Sequence, residues 1–326
     1  MKNLKIVGTG TCLPPRVLTN ADLERMVDTS DQWITERTGI KERRIAADDV
    51  STSDLCAEAL RNACADAGLE PAALDAIIVG TSTTDTLFPS TACWVQRKLG
   101  LSGPAAFDVS AGCSGFLYGL ELASALIVAG TAQRVGVVGG EAMSKVVNWK
   151  DRSTCVLFGD GAGAAVVTAG KGDTGVLASN WGADGTLASI LYQPAGGSQS
   201  PATHETVEAM KHTVHMEGNT VFKHAVVAMA KAATTAMEEA AVGPDDVDLF
   251  IPHQANMRIM EVARERAGID REKMYVVLHK YGNMSAATIP VALHEARGEG
   301  RVVDGSTVVM TAFGTGFTWA GTVLRW

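Results

Sequence analysis

Along residues 57–81, AEALRNACADAGLEPAALDAIIVGT, apolar residues first recur at helical spacing and then close up into an unbroken run. That change of period predicts an amphipathic helix, a turn at Gly68–Pro71 and a strand buried on both faces. Residues 227–254, VAMAKAATTAMEEAAVGPDDVDLFIPHQ, repeat the same succession. Pro71 and Pro244 are 173 residues apart, and so are Asp75 and Asp248. VGVVGGE (135–141) and TVVMTAFGTG (307–316) are both apolar strands ending in glycines. Cys113 and Asn283 each follow a glycine and open an apolar helical run, 170 residues apart. Any α/β chain alternates helix, turn and strand, but a near-constant offset in constant order argues for a duplicated unit. The expected fold is α/β, with two similar halves, 1–173 and 174–326, packed as one body around buried sheets. A site shared by the halves would lie between them. The least regular stretch, 183–213, is rich in Gly, Ser, Thr and Pro and reads as an excursion over the surface or the site.

Composition narrows the function. Of 326 residues, 46% are hydrophobic and 34 are glycine, which suits much buried sheet. The net charge of −8 argues against a nucleic-acid partner. No apolar run approaches the roughly 18 residues of a membrane span. The opening MKNLKIVGTGTCLPP meets Pro14 and Pro15 too soon for a secretory leader and reads as a first strand, so a cytoplasmic location is expected. Six cysteines, at 12, 56, 64, 93, 113 and 155, show no CxxC pair, so neither a zinc site nor a disulfide framework is expected.

Candidate chemistry begins at Cys113. AFDVSA before it reads as a strand and CSGFLYGLELASALIVAG after it as a helix, so Cys113 sits at a helix start. Unpaired N–H groups there favour a thiolate, the nucleophilic form. A small buried Cys at a strand–helix turn would give the same local pattern. His253 follows VDLFIP, at the carboxyl end of a strand, where open α/β sheets place ligands; a histidine that merely closes the strand is the alternative. Asn283, in HKYGNMSAATIP, fits either an N-cap or a site residue. AFGTGFTW (312–319) can aim backbone N–H groups at an oxyanion or can simply be a tight turn. GDGAG (159–163) lacks the GxGxxG spacing and leads into a strand, so no dinucleotide site is expected.

Cys113, His253 and Asn283 in this order resemble the thiolase superfamily, and within it the ketoacyl-acyl-carrier-protein synthase III family. The resemblance runs the whole length through VDTSDQWITERTGI (27–40), FPSTACWVQRKLG (88–100), DVSAGCSGF, DRSTCVLFGDGAGA (151–164), EGNTVFK (217–223), IPHQAN (251–256), YGNMSAATIP (281–290) and GFTW. It implies a layered αβαβα fold and a decarboxylating Claisen condensation. An acyl-CoA primer, most simply acetyl-CoA, would load Cys113, and malonyl-acyl-carrier protein would supply the second carbon unit. It implies no metal and no cofactor beyond the CoA thioester that is substrate, and a homodimer. By position it places CoA and pantetheine contacts at Thr29, Trp33, Arg37, Arg152, Asn219, Phe222 and Asn256. The oxyanion turn is placed at Gly314 and Thr315, and Phe88 in the acyl pocket of a partner subunit. Carrier-protein docking is placed at Gln254, Ala255, Asn256, Met257, Arg258, Lys223, Arg264 and Arg266. Three departures stand out: Thr315 replaces a glycine usual in the turn, where threonine disfavours φ > 0, Ala320 stands where glycine is usual, and 183–213 is longer and little like the family. The primer therefore stays open, including a longer or unusual acyl group used in specialised metabolism. A Cys-His-Asn hydrolase has the same ingredients but needs His bonded to Cys and oriented by Asn. A thiolase would want a second cysteine in the last turn, which has none. A hydroxymethylglutaryl-CoA synthase would want a catalytic Glu.

Overall fold

The computed structural model describes residues 3–170 and 172–326. Two mixed sheets organise the chain. The first contains β1 (Leu4–Cys12), β2 (Ala76–Gly80), β3 (Ala105–Val109), β4 (Arg134–Ala142) and β5 (Asp160–Ala169), in the order β1-β5-β4-β2-β3. The second contains β6 (Gly175–Ala183), β7 (Leu249–Pro252), β8 (Thr307–Gly314) and β9 (Thr318–Arg325), in the order β7-β8-β9-β6. Both have the same logic: β2 and β7 run parallel to β4 and β8, which pair antiparallel with β5 and β9. On the free side of β7, where β3 stands in the first sheet, a single parallel bridge joins Phe250 to Met274.

The strands β2, β4 and β8 are buried along nearly their whole length, which is why they read as continuous apolar runs rather than alternating ones. Helices α1 (Thr52–Asp66) and α3 (Gly218–Glu239) cover the outer faces of the first and second sheets. Helices α2 (Gly115–Val128) and α4 (Thr288–Gly298) touch both sheets and fill the space between them. Their apolar residues share one core with both sheets, from Leu117, Leu120, Ile289 and Leu293 to Ile78, Val137, Ile251 and Met310. The result is five layers, αβαβα, and a helix such as α2 that is apolar nearly all round belongs in the middle one. The stretch 183–213 forms a 3-10 segment at Gly185–Ile190, a short strand at Leu191–Tyr192 and a helical turn at His204–Glu208. Its Ile190 and Leu191 pack with Phe313 and Phe317, which brings it over the ends of β8 and β9.

Candidate active site

Gly112–Ser114 form one 3-10 turn that runs directly into α2, so Cys113 stands at the amino end of a buried central helix. Gly112 has φ 54°, and a Cβ there would collide with the backbone nitrogen of Thr315. A Cβ on Gly314 would sit 2.6 Å from the Cys113 nitrogen. The turn after β8 and the turn before α2 therefore meet backbone to backbone, and the Thr318 hydroxyl ties them by donating to the Ala111 carbonyl at 2.7 Å. The strain anticipated at Thr315 is absent: the left-handed φ in this turn belongs to Gly316, at 130°.

Cys113 is only 8% exposed, and burial pushes its thiol up to about 12. The neighbouring Ser285 hydroxyl opposes that shift, and the carboxyl of Glu141 adds to it. This corrects the sequence expectation: the helix start lowers the cost of a thiolate but does not hold one at rest, because a buried thiol prefers to stay neutral.

His253 leaves the carboxyl end of β7 with its N–H bonded to the Thr311 carbonyl at 2.7 Å, and its ring is fully buried. Nδ1 lies 2.7 Å from the Thr288 hydroxyl, which is also 3.0 Å from the Ser285 carbonyl. Nε2 is buried without a partner. Burial pushes the imidazole down to about 3, so it is neutral at physiological pH.

Asn283 is held by its backbone, donating to Leu157 at 2.9 Å and accepting from Gly159 at 3.1 Å. Its Oδ1 accepts the Ser285 N–H at 2.8 Å, which fixes the amide plane and leaves the Nδ2 hydrogens for the cavity. One end of the Asn283 amide closes a turn and the residue lines the cavity, while the N-caps of the helical segments that follow are Met284 and Ala287.

A cavity of about 350 Å³ is lined at its base by Cys113, His253 and Asn283, and further out by Asn219, Phe222 and Asn256. Half-buried Trp33 and exposed Arg37 and Arg258 stand at its outer end. Arg152 lies over the Trp33 ring at 4.8 Å and donates to the Asp28 carbonyl at 2.7 Å. The neighbouring Thr29 hydroxyl oxygen is buried and unpaired. A second branch of about 340 Å³ also reaches Cys113, and its walls include Met143, Val146, Tyr192, Gln193 and Thr315. Residues of the irregular stretch thus shape this branch, as expected. Phe88 is 81% exposed and does not line either branch of its own chain.

The expected docking group needs correction. Gln254 is fully buried, donating to the Pro252 carbonyl at 2.7 Å and accepting from Val277 N–H at 2.9 Å. Ala255 is buried against the cavity, Met257 packs on a core cluster, and Arg264 is tied to Glu261 and to the Ile269 carbonyl. Lys223, Arg258 and Arg266 remain exposed. Sequence reasoning also missed Ser285, Thr288 and Glu141. All three stand inside quoted motifs, but neither period nor spacing says what a hydroxyl or carboxyl will touch.

Residues 107–185 and 237–326 match the family models described as 3-oxoacyl-[acyl-carrier-protein] synthase III and its C-terminal part. The chain is 54% identical over 321 residues to beta-ketoacyl-[acyl-carrier-protein] synthase III of Caldanaerobacter subterraneus subsp. tengcongensis, covering 98% of this chain and 97% of the relative. It is 51% identical to the protein of that name from Natranaerobius thermophilus, covering both in full. The crystal structure of 3-oxoacyl-[acyl-carrier-protein] synthase III from Aquifex aeolicus VF5 superposes with a TM-score of 0.91 at 47% identity, over 99% of this chain and 100% of that one. With its fold and its sequence in agreement along the whole length, this chain belongs to the beta-ketoacyl-[acyl-carrier-protein] synthase III family.

Proposed function

We propose that the chain condenses an acyl-CoA primer, acetyl-CoA in the simplest case, with malonyl-acyl-carrier protein, and so starts fatty-acid synthesis. The observation that carries this reading is the convergence of the buried Cys113 thiol, the neutral His253 ring and the Asn283 amide on one cavity, contributed by opposite halves of the chain. Cys113 attacks the primer thioester, the acyl group moves to sulfur and CoA leaves. The malonyl thioester then enters the same cavity. Its carbonyl oxygen takes hydrogen bonds from His253 Nε2–H and Asn283 Nδ2–H. As CO2 departs, negative charge grows on that oxygen, where fixed donors in a dry site stabilise it most. The enolate carbon attacks the acyl-cysteine, and the N–H groups of Cys113 and of the 314–315 turn hold the second oxyanion. The chemistry asks for neither a metal nor a redox cofactor.

Trp33 and Arg152 would part to admit the CoA adenine between them, with Arg37 near its phosphates. Asn219, Phe222 and Asn256 would flank the pantetheine. Exposed Lys223, Arg258 and Arg266 suit an acidic carrier protein. A second copy of the chain would receive exposed Phe88 at its acyl pocket. We place this activity in the cytoplasm; among the described residues no helix is long and apolar enough to cross a membrane. The hydrolase reading loses support because Asn283 Oδ1 is bonded to Ser285 and His253 Nδ1 to Thr288. The hydroxymethylglutaryl-CoA synthase reading loses support because neither cavity branch is lined by Asp or Glu among the described residues.

Intact-protein mass spectrometry after incubation with a panel of acyl-CoAs tests this reading. An acetyl adduct that clears on adding malonyl-acyl-carrier protein supports initiation. An adduct only from longer or unusual groups keeps the mechanism and moves the chain to specialised metabolism. This mechanism needs the ring proton of His253 on Nε2, with the Thr288 hydroxyl donating to Nδ1, and Thr288→Val provides the finer test. Without the hydroxyl, Nδ1 loses its donor and Nε2–H loses its advantage. Malonyl decarboxylation should fall about tenfold or more, while Thr288→Ser stays near wild type. Nitrogen-15 shifts of His253 should show the proton leaving Nε2 in Thr288→Val; an unchanged tautomer would sink the assignment.

A further inference from the structure

Asn283 belongs to the second half of the chain, yet contacts from the first half lead to its amide. Its backbone is held by Leu157 and Gly159, and its Oδ1 accepts the Ser285 N–H at 2.8 Å. A backbone N–H can only donate, so the atom it meets is the amide oxygen, and the Nδ2 hydrogens are the ones left over. The aim of the amide therefore depends on Ser285, which is not an easy residue to hold. Its φ is 47°, a left-handed conformation that residues with a Cβ rarely adopt.

What holds Ser285 is a carboxyl with no part in the steps above. Glu141, near the end of β4, is 0% exposed. Its Oε1 accepts the Ser285 hydroxyl at 2.8 Å and the Ser82 N–H at 3.0 Å. Its Oε2 accepts the Thr83 N–H at 3.0 Å and lies 2.5 Å from the Thr83 hydroxyl and 3.1 Å from the Thr81 hydroxyl. Among the described residues, every bond to this carboxyl except that from Ser285 comes from residues 81–83 of the same half. The carboxyl is thus fixed by its own half, and one of its oxygens reaches across to the other. The backbone meets there too. A Cβ on Gly139 of β4 would collide with the Ala286 carbonyl oxygen, and one on Gly161 of β5 would sit 2.6 Å from the Met284 sulfur. The first sheet therefore receives the 3-10 turn Ser285–Ala287 closely, and Glu141 bonds the one hydroxyl that this turn presents.

We propose that Glu141 and Ser285 are positioning residues for malonyl decarboxylation. The carboxyl anchors the Ser285 hydroxyl, and the Ser285 N–H then holds the Asn283 amide with Nδ2 toward the malonyl carbonyl. The proposal rests on the function given above. Glu141 lines neither cavity branch, so it acts through Ser285 and not on substrate. Losing the anchor misdirects one donor of the second half-reaction. It leaves the first largely intact, because that oxyanion is held by backbone N–H groups of other turns.

Ser285→Gly tests this. Glycine takes φ 47° without steric cost and keeps the N–H, so the variant should fold with the anchor removed. Its decarboxylation of malonyl-acyl-carrier protein should fall about tenfold or more in kcat, the scale of a misplaced catalytic contact, with KM little changed. Acyl loading of Cys113, read by intact mass, should stay near wild type. In the Asn283→Ala background the same substitution should have almost no further effect, because no amide is left to aim. A contact that merely staples the halves together would lower stability equally in both backgrounds and would not separate the half-reactions. Glu141→Gln, carried through the same cycle, should show the same split and serves if Ser285→Gly does not fold. In protein labelled with nitrogen-15 at asparagine, the Asn283 side-chain resonance should move toward that of a free amide in Ser285→Gly. Undiminished decarboxylation in the folded variant, or an equal loss with and without Asn283, would overturn the positioning role and leave the reaction standing. Wild type that forms no adduct from any acyl-CoA would overturn the functional reading, and the positioning role with it.

Discussion

Cys113→Ser is expected to form no acyl adduct and to lose condensation by at least about 10³-fold. The substitution changes one atom in a site with little room, so folding should be nearly unaffected. The loss comes from chemistry. A hydroxyl is a far weaker nucleophile than a thiol, and the buried position that pushes the thiol up to about 12 penalises an alkoxide still more. Mass spectrometry of the variant with labelled acyl-CoA reads the adduct directly. Label retained on the serine variant at wild-type rate, or on another cysteine, would show that Cys113 is not the acceptor. The other five cysteines do not line the cavity that holds His253 and Asn283.

His253→Ala and Asn283→Ala should separate the two half-reactions. Each removes one of the two donors aimed at the malonyl carbonyl, and loss of a single oxyanion donor typically costs about 10²–10³ in rate. Decarboxylation should fall by that amount, while primer transfer to Cys113 changes much less, since its oxyanion uses backbone N–H groups. The double variant should lose less than the product of the single losses, because the donors act on one oxygen. His253, held neutral with its proton affinity pushed down to about 3, should add no ionisation near 6.5 to the pH profile of decarboxylation. Equal loss of both half-reactions in either variant would mean the roles are misassigned, and a step near pH 6.5 that vanishes in His253→Ala would mean the ring titrates in the working range.

Much of this was legible before any coordinates. The apolar runs of β2, β4 and β8 announced strands buried on both faces, because a sheet covered by helices on each side has no polar face to display. The 173-residue offset between Pro71 and Pro244 pointed to two like halves, and these prolines begin equivalent 3-10 turns, Pro71–Ala73 and Pro244–Asp246. Cys113, His253 and Asn283 were legible as candidates because each follows a strand or a glycine at the start of a local element, where side chains are free to face a ligand.

The misses have a common cause. Gln254 and Arg264 looked like surface residues because their types usually are, yet one feeds its amide to β7 and the loop at 277–278, and the other to its own helix and the loop that follows. Thr315 looked strained because the sequence names the residue and not its φ; the neighbouring Gly316 takes the left-handed turn instead.

By itself the sequence determined the apolar runs and the duplicated pattern, which follow from local period, and named Cys113, His253 and Asn283 as candidates through residue chemistry and the family resemblance. Only the tertiary structure decided the protonation states and the direction in which each group points. The ring of His253 is held by Thr288, 35 residues away, and the cage around Glu141 is completed by Ser285, 144 residues away. A pKa or a tautomer is set by burial and by what lies within hydrogen-bond reach, and packing two halves against each other brings together atoms that no local pattern connects.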